Sequence, residues 1–374
     1  MRHTAIVILK FFTRFITQLF LWLPHQKQYI VFSAKYGFTD NSKYLFLTYV
    51  EQGANCVWVA TDTQCYQTMQ SLIGQNPNVR VVKKNSFKLL LILARAKYVF
   101  VTHSFLDLGA LAIKSCPVIN LWHGIPIKKM GYDSISDRAL FSLDTHNPYS
   151  QNDYLIASSP ITKPFLMSCM KLPASKVLPL GQPRNDYLNE NKDNNQLITS
   201  LRSCYASSSQ ARLFLFAPTF RDQSKLSLGI YTSLVRSFAE FAHARDILVL
   251  RLHPKERTLV ANINLPNNVK LSVIEDVQEE LLAADILISD YSSIIFDYSL
   301  LARPILLYTP DKAGYFKNRG GSYFDYDEIL QECRHINTSE LDSVWQSNFQ
   351  SPTYTRLSAL HSMSAGKSLY HQFN

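Results

Sequence analysis

No two cysteines in this 374-residue chain stand at C-x-x-C or any other metal-ligand spacing. Cys56, Cys65, Cys116, Cys169, Cys204 and Cys333 are scattered, five of them in or beside apolar runs, where a thiol acts as a small buried hydrophobe. That argues against a disulfide scaffold or a cysteine-built zinc site and predicts a reduced, cytoplasmic setting. No RNP-like, zinc-finger or homeodomain pattern is present, so nucleic acid is not expected as a partner. Internal repeats and long low-complexity runs are also missing. Charged residues make up only 18% of the chain against 47% hydrophobic, which argues against disorder and allows sizeable cores. Acidic residues are the scarcer sign: 29 against 38 basic ones leave a net charge of +9, suited to acidic lipid or phosphorylated substrates. The length fits two α/β domains.

The segment Thr4–Pro24 is apolar, but Lys10, Arg14 and Gln18 recur every four residues and form one polar stripe on a helix. Two charges inside the span are costly for a transmembrane helix, and no small-residue cleavage site follows to mark a signal peptide. Residues 1–25 are therefore expected to form an amphipathic helix on an anionic membrane surface, making the protein peripheral at the cytoplasmic face of the cell membrane. A helix packed on the first domain is the alternative.

From Gln28 to about Gly181, short apolar strands alternate with amphipathic helices, the mark of a parallel sheet covered on both faces. Strands are expected at Tyr29–Phe32, Cys56–Ala60, Val79–Val82, Tyr98–Val101, Val118–Trp122, Tyr154–Ala157 and Val177–Leu180. Helices are expected at Asn41–Glu51, Tyr66–Ile73, Phe87–Arg95 and Ile161–Met170. The polar stretch Asn189–Gln210 reads as a helix within a linker. A second set of strands follows at Leu213–Ala217, Ile247–Leu252, Val269–Leu271, Asp285–Ser289 and Ile305–Tyr308. The expected division is an acceptor-side domain over 26–205, a donor domain over 206–350 and a C-terminal helical segment over 351–374.

Polar clusters fall where four of these strands end: His123-Gly124, Pro218-Thr219, His253-Pro254 and Asp290 to Ser293. Open α/β sheets bind ligands outside the carboxyl ends of their strands, so the expected architecture is two Rossmann-like domains facing a shared cleft. Ser292 and Ser293 stand where a helix opens, offering hydroxyls and free N–H groups to phosphate. Asp297, four residues past Ser293, shares its helix face and suits a ribose hydroxyl; an ordinary capped helix is the plain alternative. In Trp122-His123-Gly124-Ile125-Pro126-Ile127-Lys128-Lys129 an imidazole able to take a proton near neutral pH lies close to two cations. His123 reads equally well as a hydrogen-bonded loop residue. Arg251-Leu252-His253 would aim two cationic side chains the same way if it were a strand, and Arg184 offers a guanidinium suited to bidentate phosphate contact. Thr219 adds a hydroxyl. Asp325-Tyr326-Asp327 only superficially mimics a D-x-D metal site, and His103, at another strand end, is assigned a core or acceptor-side role.

Taken together, these motifs resemble the CDP-glycerol glycerophosphotransferase family of teichoic-acid primases and polymerases. The resemblance is carried by Trp122 to Lys129, Gly181 to Asp186, Ala217 to Arg221, Arg251 to Pro254, Asp290 to Asp297 with Arg303-Pro304, and Tyr323 to Tyr326. It implies a GT-B-like fold and transfer of glycerol phosphate from CDP-glycerol to a hydroxyl of a lipid-linked or polymeric acceptor, releasing CMP, with no cofactor and no metal. It further implies that His123 is the general base and that His253 holds or protonates the diphosphate. Trp122, His123, Gly124, Ile125, Pro126, Arg184, Pro218, Thr219, Arg251, Leu252, His253, Ser292, Ser293 and Asp297 match the family's donor-binding positions, with Lys128 adding charge. Ile125 departs from the family's usual Thr. A CDP-ribitol phosphotransferase, a nucleotide-sugar glycosyltransferase and a non-catalytic nucleotide-diphosphate-binding membrane protein are the competing functions. The paired histidines count against the last, because diphosphate binding alone needs cations and N–H groups.

Overall fold

The computed structural model describes residues 27–374 apart from 74, 136, 138–148, 150, 207, 209, 222–223, 254–255 and 257–264. The helix expected over 1–25, and with it the membrane contact, lies outside the described residues. No helix among the described residues is long and apolar enough to cross a membrane.

The chain divides into two units. One takes in the described residues of Met1–His123, Ala139–Asp186 and Ser362–Asn374. Its sheet consists of β1 (Tyr29–Ser33), β2 (Cys56–Ala60), β3 (Val79–Lys83), β4 (Ala96–Val101), β5 (Val118–Asn120), β6 (Tyr154–Ile156) and β7 (Val177–Leu178). Their order is β3-β2-β1-β4-β5-β6-β7 and every neighbouring pair is parallel. Successive strand residues point to opposite faces, and here both faces are buried. Ile30, Phe32, Trp58 and Phe100 enter one core; Tyr29, Val31, Val57 and Val99 enter the other. That is why the central strands β1 and β2 are buried at every position and read as near-continuous apolar runs. Ser86 Oγ caps the helix Phe87–Ala94 by accepting from Leu89 N at 3.2 Å.

The other unit takes in the described residues of Gly124–Arg138 and Tyr187–His361. Its strands are β8 (Leu213–Phe216), β9 (Ile247–Leu250), β10 (Val269–Leu271), β11 (Ile286–Ser289), β12 (Ile305–Tyr308) and β13 (Arg334–Ile336). The order is β10-β9-β8-β11-β12-β13, again parallel throughout. Leu213, Leu215 and Leu287 pack on one face; Phe214, Phe216, Ile286 and Ile288 pack on the other.

The contact boundary falls between Asp186 and Tyr187, before the polar stretch Asn189–Gln210, which carries the end of one helix, Pro183–Asn191, and the whole of another, Asn195–Arg202. The last residues return to the first unit: Leu369 and Phe373 of the helix Ala365–Phe373 enter the core with Phe32 and Phe100. Gly181 makes that return possible. It holds a positive φ of 86°, and a Cβ there would stand 2.3 Å from the Ser362 carbonyl oxygen.

Candidate active site

In the first unit, β5 ends at Asn120, and the next residues turn sharply to present His123. Trp122 adopts a left-handed backbone, φ +60°, which costs an L-residue about 1–2 kcal/mol. Two buried asparagines hold it there. Asn120 Oδ1 accepts from Trp122 N at 2.8 Å, and Asn41 Nδ2 donates to the Trp122 carbonyl at 2.9 Å. Backbone strain kept in place by side chains is found preferentially at functional sites.

Asn41 also orders a neighbour: its Oδ1 accepts from Arg184 N at 3.2 Å. The buried Arg184 Nη1 in turn contacts Asp40 Oδ1 at 2.9 Å and donates to the His123 carbonyl at 3.0 Å. The guanidinium expected to grip a phosphate is thus partnered beside the imidazole. His123 packs against the Trp122 ring, 4.2 Å between centroids, and stacks on His103 at 4.3 Å with planes 10° apart. Its Nδ1 is buried and has no hydrogen-bond partner among the described residues. Burial, with His103 and Arg184 acting in the same direction, holds His123 well below the ordinary histidine range although Asp40 opposes them, so the ring is neutral. A neutral imidazole with an unpartnered ring nitrogen is the form a general base requires, and a hydrogen bond to the Thr102 backbone, like Asp40, works against the lowering.

Gly124, Ile125, Pro126 and Lys128 continue the motif on the other unit. Ile125 and Ile127 enter that unit's core, Tyr323 N donates to the Ile127 carbonyl at 2.8 Å, and Lys128 bridges Ser322. The sequence motif is therefore shared: Trp122 and His123 belong to one unit and its remainder to the other.

The second unit gathers the ends of β8, β9 and β11. Asp290, following β11, ties two of these loops together: its Oδ1 accepts from Thr219 N at 2.8 Å and from Tyr291 N at 2.6 Å. Its Oδ2 pairs with Arg221 Nη1 at 2.8 Å. Arg221 also grips Asp311 in bidentate fashion, Nε to Oδ2 at 2.7 Å and Nη2 to Oδ1 at 2.9 Å, while Tyr291 Oη donates to Asp311 Oδ1 at 2.9 Å. Tyr326 Oη closes the network on the Asp290 carbonyl at 2.6 Å. The Thr219 backbone is thereby tied to the Asp290-Tyr291 turn that leads into Ser292 and Ser293. Ser293 opens the short helix Ile294–Ser299 without a side-chain cap, and Ser292 Oγ accepts only a long 3.4 Å contact from Ile294 N. Ser293 Oγ thus makes no capping bond and Ser292 Oγ only this weak one, so the helix start is at most lightly capped by its own side chains.

One expectation is corrected by the geometry. Arg251 and His253 do not share a strand face, because β9 ends at Leu250 and both lie in the loop beyond. Arg251 turns to Glu280 at 2.6 Å, with Ser272 Oγ and the carbonyls of Ile274 and Glu275 completing its donors. It braces the loop, with Leu252 buried under it, while the His253 ring lies 5.1 Å from Phe220. Asp297 is buried and accepts from Gln278 Nε2 at 3.3 Å. Asp325 caps its own helix through Asp327 N and Glu328 N at 3.0 Å each, and Asp327 pairs with Lys312. The D-x-D resemblance therefore serves helix capping and charge pairing, and no metal-binding cluster occurs among the described residues.

Asn41, Asn120, Arg221 and Asp311 were not singled out by sequence for the parts they play. Asn41 follows Thr39-Asp40 and looks like a helix start; Arg221 and Asp311 are 90 residues apart.

The family described as CDP-glycerol:poly(glycerophosphate) glycerophosphotransferase matches residues 15–358. The teichoic acid poly(glycerol phosphate) polymerase of Bacillus spizizenii is 30% identical over 330 residues, 82% of this chain and 80% of the relative. The teichoic acid glycerol-phosphate transferase of Staphylococcus aureus is 29% identical over 324 residues, with 82% and 80% covered. Among solved structures, the wall teichoic acid polymerase TagF superposes with a TM-score of 0.74 at 21% identity, covering 100% of this chain and 94% of the other, and shows the same two-sheet, GT-B-like fold.

Proposed function

We propose, from the premise that the chain belongs to the CDP-glycerol glycerophosphotransferase family, that it transfers glycerol phosphate from CDP-glycerol to an acceptor hydroxyl during synthesis of a teichoic-acid-like polymer. The observation that carries the reading is the neutral His123, its Nδ1 unpartnered, on a strained, doubly tethered turn. In the proposed reaction the imidazole removes the acceptor's hydroxyl proton as that oxygen attacks the phosphorus bearing glycerol. The bond from this phosphorus to the bridging oxygen breaks, and CMP leaves with the bond's electrons. Ser292, Ser293, Thr219 and His253 are assigned to the diphosphate, with His253 offsetting the charge that develops on CMP. Arg184 orients His123, and Arg251 supports the loop that carries His253.

The serine assignment has its own test. Replacing Ser292 and Ser293 together by alanine is expected to raise the dissociation constant for CDP-glycerol about a hundredfold or more, since each of the two lost hydroxyl contacts to a charged group is worth about 1.5 kcal/mol or more. An unchanged constant would remove these hydroxyls from the donor site.

The acceptor is assigned to the lipid-linked or polymeric class, and the protein to the membrane surface as a peripheral enzyme. Support comes from Lys10 and Arg14 on an otherwise apolar segment, because each basic residue near an acidic bilayer contributes about 1 kcal/mol. Deleting Met1–Leu23 should abolish co-sedimentation with anionic vesicles and leave turnover of a soluble acceptor within about twofold. Unchanged partitioning together with a lower melting temperature would place that segment on the protein instead.

A further inference from the structure

His103 takes no part in the chemistry just described, yet its ring lies against the proposed base. The two imidazoles are stacked and nearly parallel, 10° between planes and 4.3 Å between centroids, and Tyr36 meets His103 edge to face at 5.3 Å. We propose that His103 is a positioning residue, a flat plate on which the His123 imidazole is held for proton removal, and that it does not relay the proton. The inference rests on His123 being the base.

A relay between two imidazoles needs the N–H of one ring aimed at the lone pair of the other, and both lie in their ring planes. Parallel rings point these groups alongside one another, never at one another, so direct transfer between them is excluded by orientation. Offset stacking of flat rings is the interaction this arrangement allows. The plate is mounted independently of its own ring nitrogens. His103 N donates to Asp107 Oδ2 at 2.9 Å, and its carbonyl accepts from Asn120 Nδ2 at 2.8 Å. Asn120 is the same residue that holds Trp122 N, so one asparagine ties together the two loops that carry the stacked rings. The charged and titratable groups around His103 are Lys35 and Tyr36 after β1, Asp107 after β4, His123 after β5, and Arg184. Burial, reinforced by Lys35 and Arg184, pushes His103 down to about 3. The plate is therefore uncharged when His123 takes its proton, and its π face is compatible with the imidazolium that forms.

The test uses the full-length chain and compares His103→Phe, His103→Ala, His103→Gln and His123→Ala. The measurements are kcat, KM for CDP-glycerol, the pH profile and the melting temperature. A plate requires a ring but not its nitrogens. His103→Phe should keep kcat within about threefold and leave the pH profile in place, whereas His103→Ala should lower kcat about tenfold with KM within about twofold. His103→Gln, which supplies hydrogen-bonding groups without a ring, should be as defective as alanine. Phenylalanine as inactive as alanine at an equal melting temperature, wild-type turnover in His103→Ala, or rescue by glutamine would each overturn the inference. If phenylalanine lowers the melting temperature, the glutamine-to-alanine comparison still decides it. Activity retained in His123→Ala would instead bring down the base assignment, and this inference with it; failure confined to the His103 series leaves His123 as the base.

Discussion

Replacing His123 by alanine lowers kcat about 10²–10⁴-fold, the range a general base supplies, while the dissociation constant for CDP-glycerol stays within about twofold. The two quantities separate because the base acts on a proton that moves only in the transition state, whereas the diphosphate contacts are assigned to the other unit. A pH signature accompanies this. The base works deprotonated, and burial with the neighbouring His103 and Arg184 holds its pKa well below the ordinary value. The acid limb of the wild-type rate should therefore lie below pH of about 6.5, the unperturbed histidine midpoint. A rate falling through that ordinary midpoint would mean the imidazole is more solvated than the structure has it. Activity of His123→Ala within about tenfold of wild type would remove the residue from the base role.

Arg221→Met is expected to have the largest effect on stability, about 3–5 kcal/mol, because it leaves two carboxylates without their counter-ion. Arg221 and Asp290 are buried, and Asp311 is nearly so. The loss should be read as a drop in melting temperature and as weakened donor binding, since Thr219 and Tyr291 are held through Asp290. Acid should reveal the Asp311 arm of this network, whereas burial holds Asp290 above its ordinary range despite Arg221, so that carboxyl acts in the opposite direction. Burial raises Asp311, but the Arg221 hydrogen bonds and charge, with Tyr291, outweigh it and bring the carboxyl below its ordinary range. A depressed carboxyl contributes stability that is complete above its unfolded pKa, about 3.9, and is lost as pH falls through the lower folded value. Wild-type stability should show this acid loss, and Arg221→Met should show less of it. Melting curves of the two proteins between neutral pH and pH of about 3 measure both effects; superimposable curves would contradict the network.

The central strands of both sheets are legible in the sequence because both faces of each sheet are covered, as in β1, β2, β8, β11 and β12, which are buried at every position. β13 escaped notice for the same reason in reverse. Arg334 and His335 are exposed at the sheet edge, and only Ile336 is buried, so no apolar run marks it. His123, Thr219, His253 and the serines are legible as candidates because they stand in the loops that follow buried strands. The pairing of Arg251 with Glu280, 29 residues later in the chain, is not encoded in the local Arg-Leu-His pattern. Asn41, Asn120 and the Arg221–Asp311 pair depend on contacts between distant segments, which no local pattern encodes. The return of Leu369 and Phe373 to the first unit is a packing outcome of the same kind.

The central claim is the reaction itself. It is tested most directly by incubating the purified chain with CDP-glycerol labelled in its glycerol, alongside CDP-ribitol and a nucleotide sugar, and a glycerol-phosphate-terminated acceptor. CMP release and label in the acceptor are followed together. The account predicts CMP formed from CDP-glycerol in step with labelled glycerol phosphate gained by the acceptor, with both signals lost in His123→Ala. CDP-glycerol that binds without releasing CMP, or transfer confined to one of the other donors, would contradict it.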